Sequence, residues 1–251
     1  MLALKLLLVP SFLALITLVG RRWGPSVSGW LAGFPFVAGP ILLLVAIERG
    51  AAFAATSASA SLGAVVASLA YMLAYAWTSR RQPWHVACLA GLLAWFVTAG
   101  LLRLMLVLLP WDPWPSLVVA LVGLRWIVPR FPPVQKITIG AHLPSYELPV
   151  RMAAGALLTV IVTGVSAHIG PAWSGLVTIF PVLSMVLAVF SQRAHGAGYV
   201  GAMLRSMAVG LWGLLAFCLA LALLLPRLPM AWSFVIATAL AIAAQLAVRR
   251  R

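Results

Sequence analysis

Residues 24–35 read GPSVSGWLAGFP, and residues 170–181 read GPAWSGLVTIFP. A shift of 146 residues, from Gly24 to Gly170, lays Pro25, Ser28, Gly29, Phe34 and Pro35 on Pro171, Ser174, Gly175, Phe180 and Pro181. The register continues without a gap. Gly50 and Ala51 meet Gly196 and Ala197, Arg81 and Pro83 meet Arg227 and Pro229, and Lys5 meets Arg151. Each copy sets its glycine, serine and proline inside an apolar run, which points to a duplicated membrane unit with a broken helix.

Composition sets the class. Apolar residues make up 64% of the 251 residues, only 8% are charged, and three are acids. A soluble globule could not hide that much hydrophobic surface, so the chain reads as an all-α, polytopic transmembrane helix bundle. The net charge of +14 would suggest nucleic acid in a soluble domain. Here the arginines sit in short clusters between apolar runs, where they set orientation, so no nucleic-acid partner is expected. Cys88 and Cys218 are not matched by the repeat, and the four histidines have no ligand spacing. Neither a disulfide, a metal site nor a cofactor is expected.

A helix needs about 20 residues to cross the roughly 30 Å hydrocarbon core. Leu2 to Gly20, Val27 to Ile47, Phe53 to Trp77 and Trp84 to Leu104 supply four spans of a first repeat, residues 1–105. Leu148 to His168, Ala172 to Phe190, Ala197 to Leu225 and Ala231 to Val248 supply four of a second, residues 148–251. Arg21 and Arg22 follow the first apolar segment with no small-residue cleavage pattern, so a retained helix with its N-terminus outside is expected. Between the repeats lies a linker, residues 106–147, with a short apolar stretch from Ser116 to Val128 and a polar, proline-rich segment from Pro129 to Pro149. If the short stretch crosses, the spans number about nine and the repeats are inverted; if not, eight and parallel. Nine spans keep Arg21, Arg22, Arg80, Arg81 and Arg193 on the cytoplasmic side, which favours inversion.

SGLVTIFPVLSMVLAVFSQRAHG, followed by LRSMAVGLWGLL, resembles the GlpM-like family of small bacterial membrane proteins. Gly175, Leu176, Phe180, Pro181, Leu204, Arg205 and Gly210 carry the likeness. It covers residues 148–251 well and 2–103 more loosely, with Ser59 at the first-copy place of Arg205. The resemblance implies a tandem fusion of two four-helix units in a bacterial inner membrane, and no mechanism.

The candidate solute-binding residues are Ser28, Phe34, Pro35, Ser57, Ser59, Ser174, Phe180, Pro181 and Arg205. Proline frees a carbonyl and removes a donor, and such gaps persist in lipid only where protein, hydroxyls or water satisfy them. Two readings follow for each break: a kink packed by small residues, or a solute site between broken helices. Arg205, eight residues into an apolar helix, either snorkels to the interface or faces a watery cavity that attracts an anion. Ser57 and Ser59 offer hydroxyls at matching depth, or only glue between helices. Glu48 and Asp112 lie near helix ends and Glu147 in the linker, so no acid is expected at midplane; no serine, histidine and acid form a nucleophilic pattern, so no enzyme is expected. The expected function is carriage or export of a small polar or anionic solute. The rival is a non-transporting component that binds a partner in envelope polysaccharide or lipid assembly. Membrane lipid and a small solute are the expected partners, with a second copy of the chain or an envelope protein left open.

Overall fold

A computed structural model describes residues 2–108, 113–133, 146–168 and 180–249. Nine α-helices and one short 3-10 turn make up these residues, which contain no strand. They are α1 (Leu2–Trp23), α2 (Pro25–Ala32), α3 (Ala38–Arg49), α4 (Ala51–Thr78), α5 (Trp84–Leu108), α6 (Pro113–Ile127), α7 (Glu147–His168), α8 (Val182–Leu224) and α9 (Met230–Arg249). Five, namely α1, α4, α5, α8 and α9, are long and apolar enough to cross a membrane, which marks the chain as a membrane protein. The short linker stretch forms a helix that reaches back to Pro113.

Two corrections concern helix ends. The stretch expected as one helix, Val27 to Ile47, is two, because the chain turns at Pro35 between α2 and α3. Glu147 does not lie in a loop; it opens α7 and is buried. The expected second-repeat segment from Ala172 lies outside the described residues as far as residue 179.

The turns at Pro35 and Pro181 are made alike. Phe36 N–H donates to the Phe34 carbonyl at 2.8 Å, and Val182 N–H donates to the Phe180 carbonyl at 2.8 Å. Pro181, at φ −78° and ψ 52°, has the dihedrals of an inverse γ-turn. The helix beyond each proline then restarts: Gly39 N–H bonds to Pro35 O and Met185 N–H to Pro181 O, both at 2.8 Å. Fifteen residues after each proline comes a glycine in a left-handed conformation, Gly50 at φ 88° and Gly196 at φ 80°. Forty-three residues of unbroken helix would run about 64 Å, twice the membrane core. Gly196 divides α8 into 182–195 and 197–224, so it is no single rod.

Two helix pairs related by the 146-residue sequence shift lie side by side. Thr17 on α1 meets Arg151 on α7, and farther along Leu13 meets Gly155, so the two run in opposite senses. Ala76, near the end of α4, shares a groove with Ala197 and Gly201 at the start of the second half of α8. Beside that half runs α2, held close by glycine, and α3 departs from it to pack on α4. A Cβ at Gly29 would strike the Met203 carbonyl, one at Gly33 would come within 2.6 Å of Gly210 backbone, and one at Gly39 would stand 3.4 Å from the Phe217 ring. The contacts step along α8 seven residues at a time, as near-parallel helices do. The break leaves Trp30 O without the amide four residues on, since Phe34 N–H turns to Leu31 O. Gln245 of α9, 1% exposed, donates to that carbonyl at 2.6 Å and satisfies it.

One end of the bundle gathers the cations. Gln192 donates to the Gln82 carbonyl at 3.0 Å, Trp77 Nε1 donates to Arg130 O at 2.8 Å, and Arg21 lies 3.8 Å from Glu147. Four arginines there lie on indole rings: Arg22 on Trp23, Arg80 on Trp77, Arg130 on Trp126 and Arg193 on Trp84, all within 5.7 Å. Such rings suit the headgroup level, while exposed Val97, Leu101, Val118, Leu157 and Val235 give the flanks a face for acyl chains.

Candidate functional site: a polar cleft at the cation-rich end

On α7, Glu147, Arg151, Gly155 and Thr159 recur every four residues and form the buried stripe that faces α1. Two members of that stripe are charged. Arg151 is 3% exposed and Glu147 8%. An arginine at that depth is costly unless paired and bonded. Arg151 Nη2 donates to Glu147 Oε1 at 2.5 Å, its Nη1 to Thr17 Oγ1 at 3.1 Å, and the Phe190 ring lies 5.4 Å from its guanidinium carbon. Thr17 can accept because its own proton goes to Leu13 O at 2.6 Å. Glu147 Oε2 leans toward Arg21. The cluster therefore holds two cations and one anion.

Arg151 forms one wall of a narrow cleft of about 10 Å³, room for about one water molecule. Thr17 and Arg21 come from α1, Ser28 from α2, and Ser191, His195 and Tyr199 from either side of the Gly196 hinge in α8. The His195 and Tyr199 rings stack at 4.3 Å across that hinge, and the Tyr199 hydroxyl and Ser28 both lie against Gly20. Several polar atoms remain unpaired. Arg151 Nε and His195 Nδ1 are buried without a hydrogen-bond partner among the described residues, and Ser191 meets only the Met203 sulfur, at 3.6 Å. Ile16, Leu187 and Met203 complete the lining, which contains no acid among the described residues. Nor do these residues hold a cluster of metal-ligating side chains.

Of the residues expected from sequence, Ser28 alone lines this cleft. Pro35 and Pro181 are buried at the two turns. Phe34 packs on Phe36, at 4.7 Å between centroids, whereas Phe180 meets Trp95 at 5.3 Å and Phe96 at 6.4 Å. Each ring thus has its own neighbours. The Ser57 and Ser59 hydroxyls bond back to Phe53 O and Ala55 O, one turn earlier on α4. Arg205 is exposed on α8 and makes no ion pair among the described residues. Ser174 lies outside the described residues. No family model, curated protein or solved structure matches the chain.

Arg151, Glu147, Thr17, Tyr199 and His195 are the residues that sequence reasoning missed. A signal existed: Glu-x-x-x-Arg puts opposite charges one turn apart on a single helix face. With three acids in the chain, the use of one four residues before an arginine is conspicuous.

Proposed function

We propose that the chain is a carrier or exporter of a small polar or anionic solute, built from two inverted four-helix units. The units are residues 1–105 and 148–251, with 106–147 joining them. The γ-turns at Pro35 and Pro181, the left-handed glycines at Gly50 and Gly196, and the antiparallel meeting of α1 with α7 support the inversion. On this reading the spans are nine: α1, α2 with α3, α4, α5, α6, α7, the segment that ends at residue 195, the second half of α8, and α9. The cation-rich end faces the cytoplasm of a bacterial inner membrane, with the N-terminus outside. The likeness to GlpM-like proteins fits a fusion of two such units.

One observation carries the functional reading: a buried cleft of net positive charge lies where helices of both units meet. Charge buried within a membrane bundle marks a solute path more often than a scaffold, because scaffolds pack as well with apolar residues. Helices that can pivot at Gly24, Gly50 and Gly196 give that path a means of opening. The test is flux of radiolabelled small anions in proteoliposomes. Uptake above that of protein-free vesicles supports a carrier; a chain that shows none and instead purifies with an envelope protein favours the partner-binding reading.

A further inference from the structure

We propose that two adjoining pairs of indole and guanidinium, Trp77 with Arg80 and Trp126 with Arg130, bind an anionic phospholipid, its phosphate at the guanidinium groups and an acyl chain along α6. The site lies apart from the Arg151 cleft and does not rest on the carrier reading. The guanidinium carbons stand 5.2 and 5.3 Å from their ring centres. Trp77 Nε1 donates to Arg130 O at 2.8 Å, and the buried ring of Phe131 seats that turn in the core, so the two pairs adjoin on a firm footing. A guanidinium stacked on a ring has one face covered, while the N–H groups around its edge stay free for a phosphate. Arg130 spends one of them on Trp126 O, and Arg80 makes no side-chain hydrogen bond or ion pair among the described residues.

Charge and the run of exposed surface together select a lipid. Arg81 and Arg125, next to these pairs in sequence, are also exposed, and Glu147, the acid at this end among the described residues, is buried against Arg151 and Arg21. Four exposed cations therefore have no carboxylate within ion-pair distance among the described residues, and an anion complements them. The surface leading up to the charge is apolar. Val118, Val122, Trp126 and Arg130 follow at four-residue intervals and all are exposed, so one face of α6 and the turn after it presents two valines, an indole and a guanidinium in that order. From Val118 to Trp126 the helix rises about 12 Å, against about 15 Å for the hydrocarbon of one leaflet. A soluble anion would use the guanidinium groups and leave the valines bare, whereas a phospholipid uses both.

The experiment measures binding of labelled phosphatidylglycerol to the full chain in micelles of an uncharged detergent, with phosphatidylcholine of the same acyl chains and water-soluble glycerol 3-phosphate as competitors. Phosphatidylcholine displaces the label at least about ten-fold less well than unlabelled phosphatidylglycerol, the ratio expected from one charge-assisted hydrogen bond. Glycerol 3-phosphate, with no chain to bury, is at least about a hundred-fold less effective. Arg80→Gln with Arg130→Gln weakens phosphatidylglycerol by about ten-fold or more. Val118→Ser with Val122→Ser weakens it several-fold, whereas Arg49→Gln with Arg227→Gln, exposed at the other end of the bundle, leaves it unchanged. Should the Arg80 and Arg130 variant fail to fold, Trp126→Leu, which removes one indole and keeps both charges, weakens binding several-fold. Absence of phosphatidylglycerol binding, equal displacement by phosphatidylcholine or by glycerol 3-phosphate, or the same loss from the arginine pairs at both ends overturns the inference.

Discussion

The turns at Gly50 and Gly196 share one backbone form and differ in where their side chains face. In each, a residue just before the glycine stacks on an aromatic ring four positions later: Arg49 lies 5.0 Å from the centre of Phe53, and His195 lies 4.3 Å from that of Tyr199. At Gly50 this pair faces outward, with Phe53 47% exposed. At Gly196 it is turned inward, with Tyr199 7% exposed, and Ser191 stands where the first copy has Val45. The two turns share their backbone form, while different side chains around them leave one at the wall of a polar cleft and the other plain.

The largest expected effect lies with the charges at the polar hinge. Glu147→Ala leaves Arg151 buried with no counter-ion and should cost about 3–5 kcal/mol of stability, since half of a buried pair is worse than none. Glu48→Ala, at the plain hinge, removes an exposed carboxylate that has no ion pair among the described residues and should leave thermal unfolding almost unmoved. Comparable losses from both would erase the distinction between the hinges. A smaller effect sharpens their likeness. An added Cβ meets nothing within 4 Å at either Gly50 or Gly196, so alanine there is penalised by backbone alone. Gly50→Ala and Gly196→Ala should each cost about 1–2 kcal/mol, and by similar amounts. A loss at one position only would show that the two turns are not equivalent in solution.

The helical, membrane-spanning character was legible because length, apolarity and the Gly and Pro punctuation are local properties of sequence. Pro35 announced a break, although whether the pieces stay collinear depends on what satisfies the freed groups, and Gln245 lies 215 residues from the carbonyl it serves. The site was harder for the same reason. Glu147 reads as linker until α1 comes alongside and covers it, and no pattern within α7 encodes that approach. Arg205 and the α4 serines attracted notice as polar residues in apolar helices. Phase decides otherwise: Met203, Leu204, Met207 and Ala208 face inward, which turns Arg205 outward, and the serines spend their protons on their own helix.

Inversion is the claim on which the carrier reading depends, and two loops test it directly. Gln82 and Leu228 are equivalent under the 146-residue shift, and both are exposed. With Cys88 and Cys218 replaced by alanine, a single cysteine at each position can be probed in intact cells with a membrane-impermeant maleimide. The inverted repeat predicts that Leu228→Cys is labelled from outside and Gln82→Cys only after the membrane is opened. Labelling of both from the same side would contradict it.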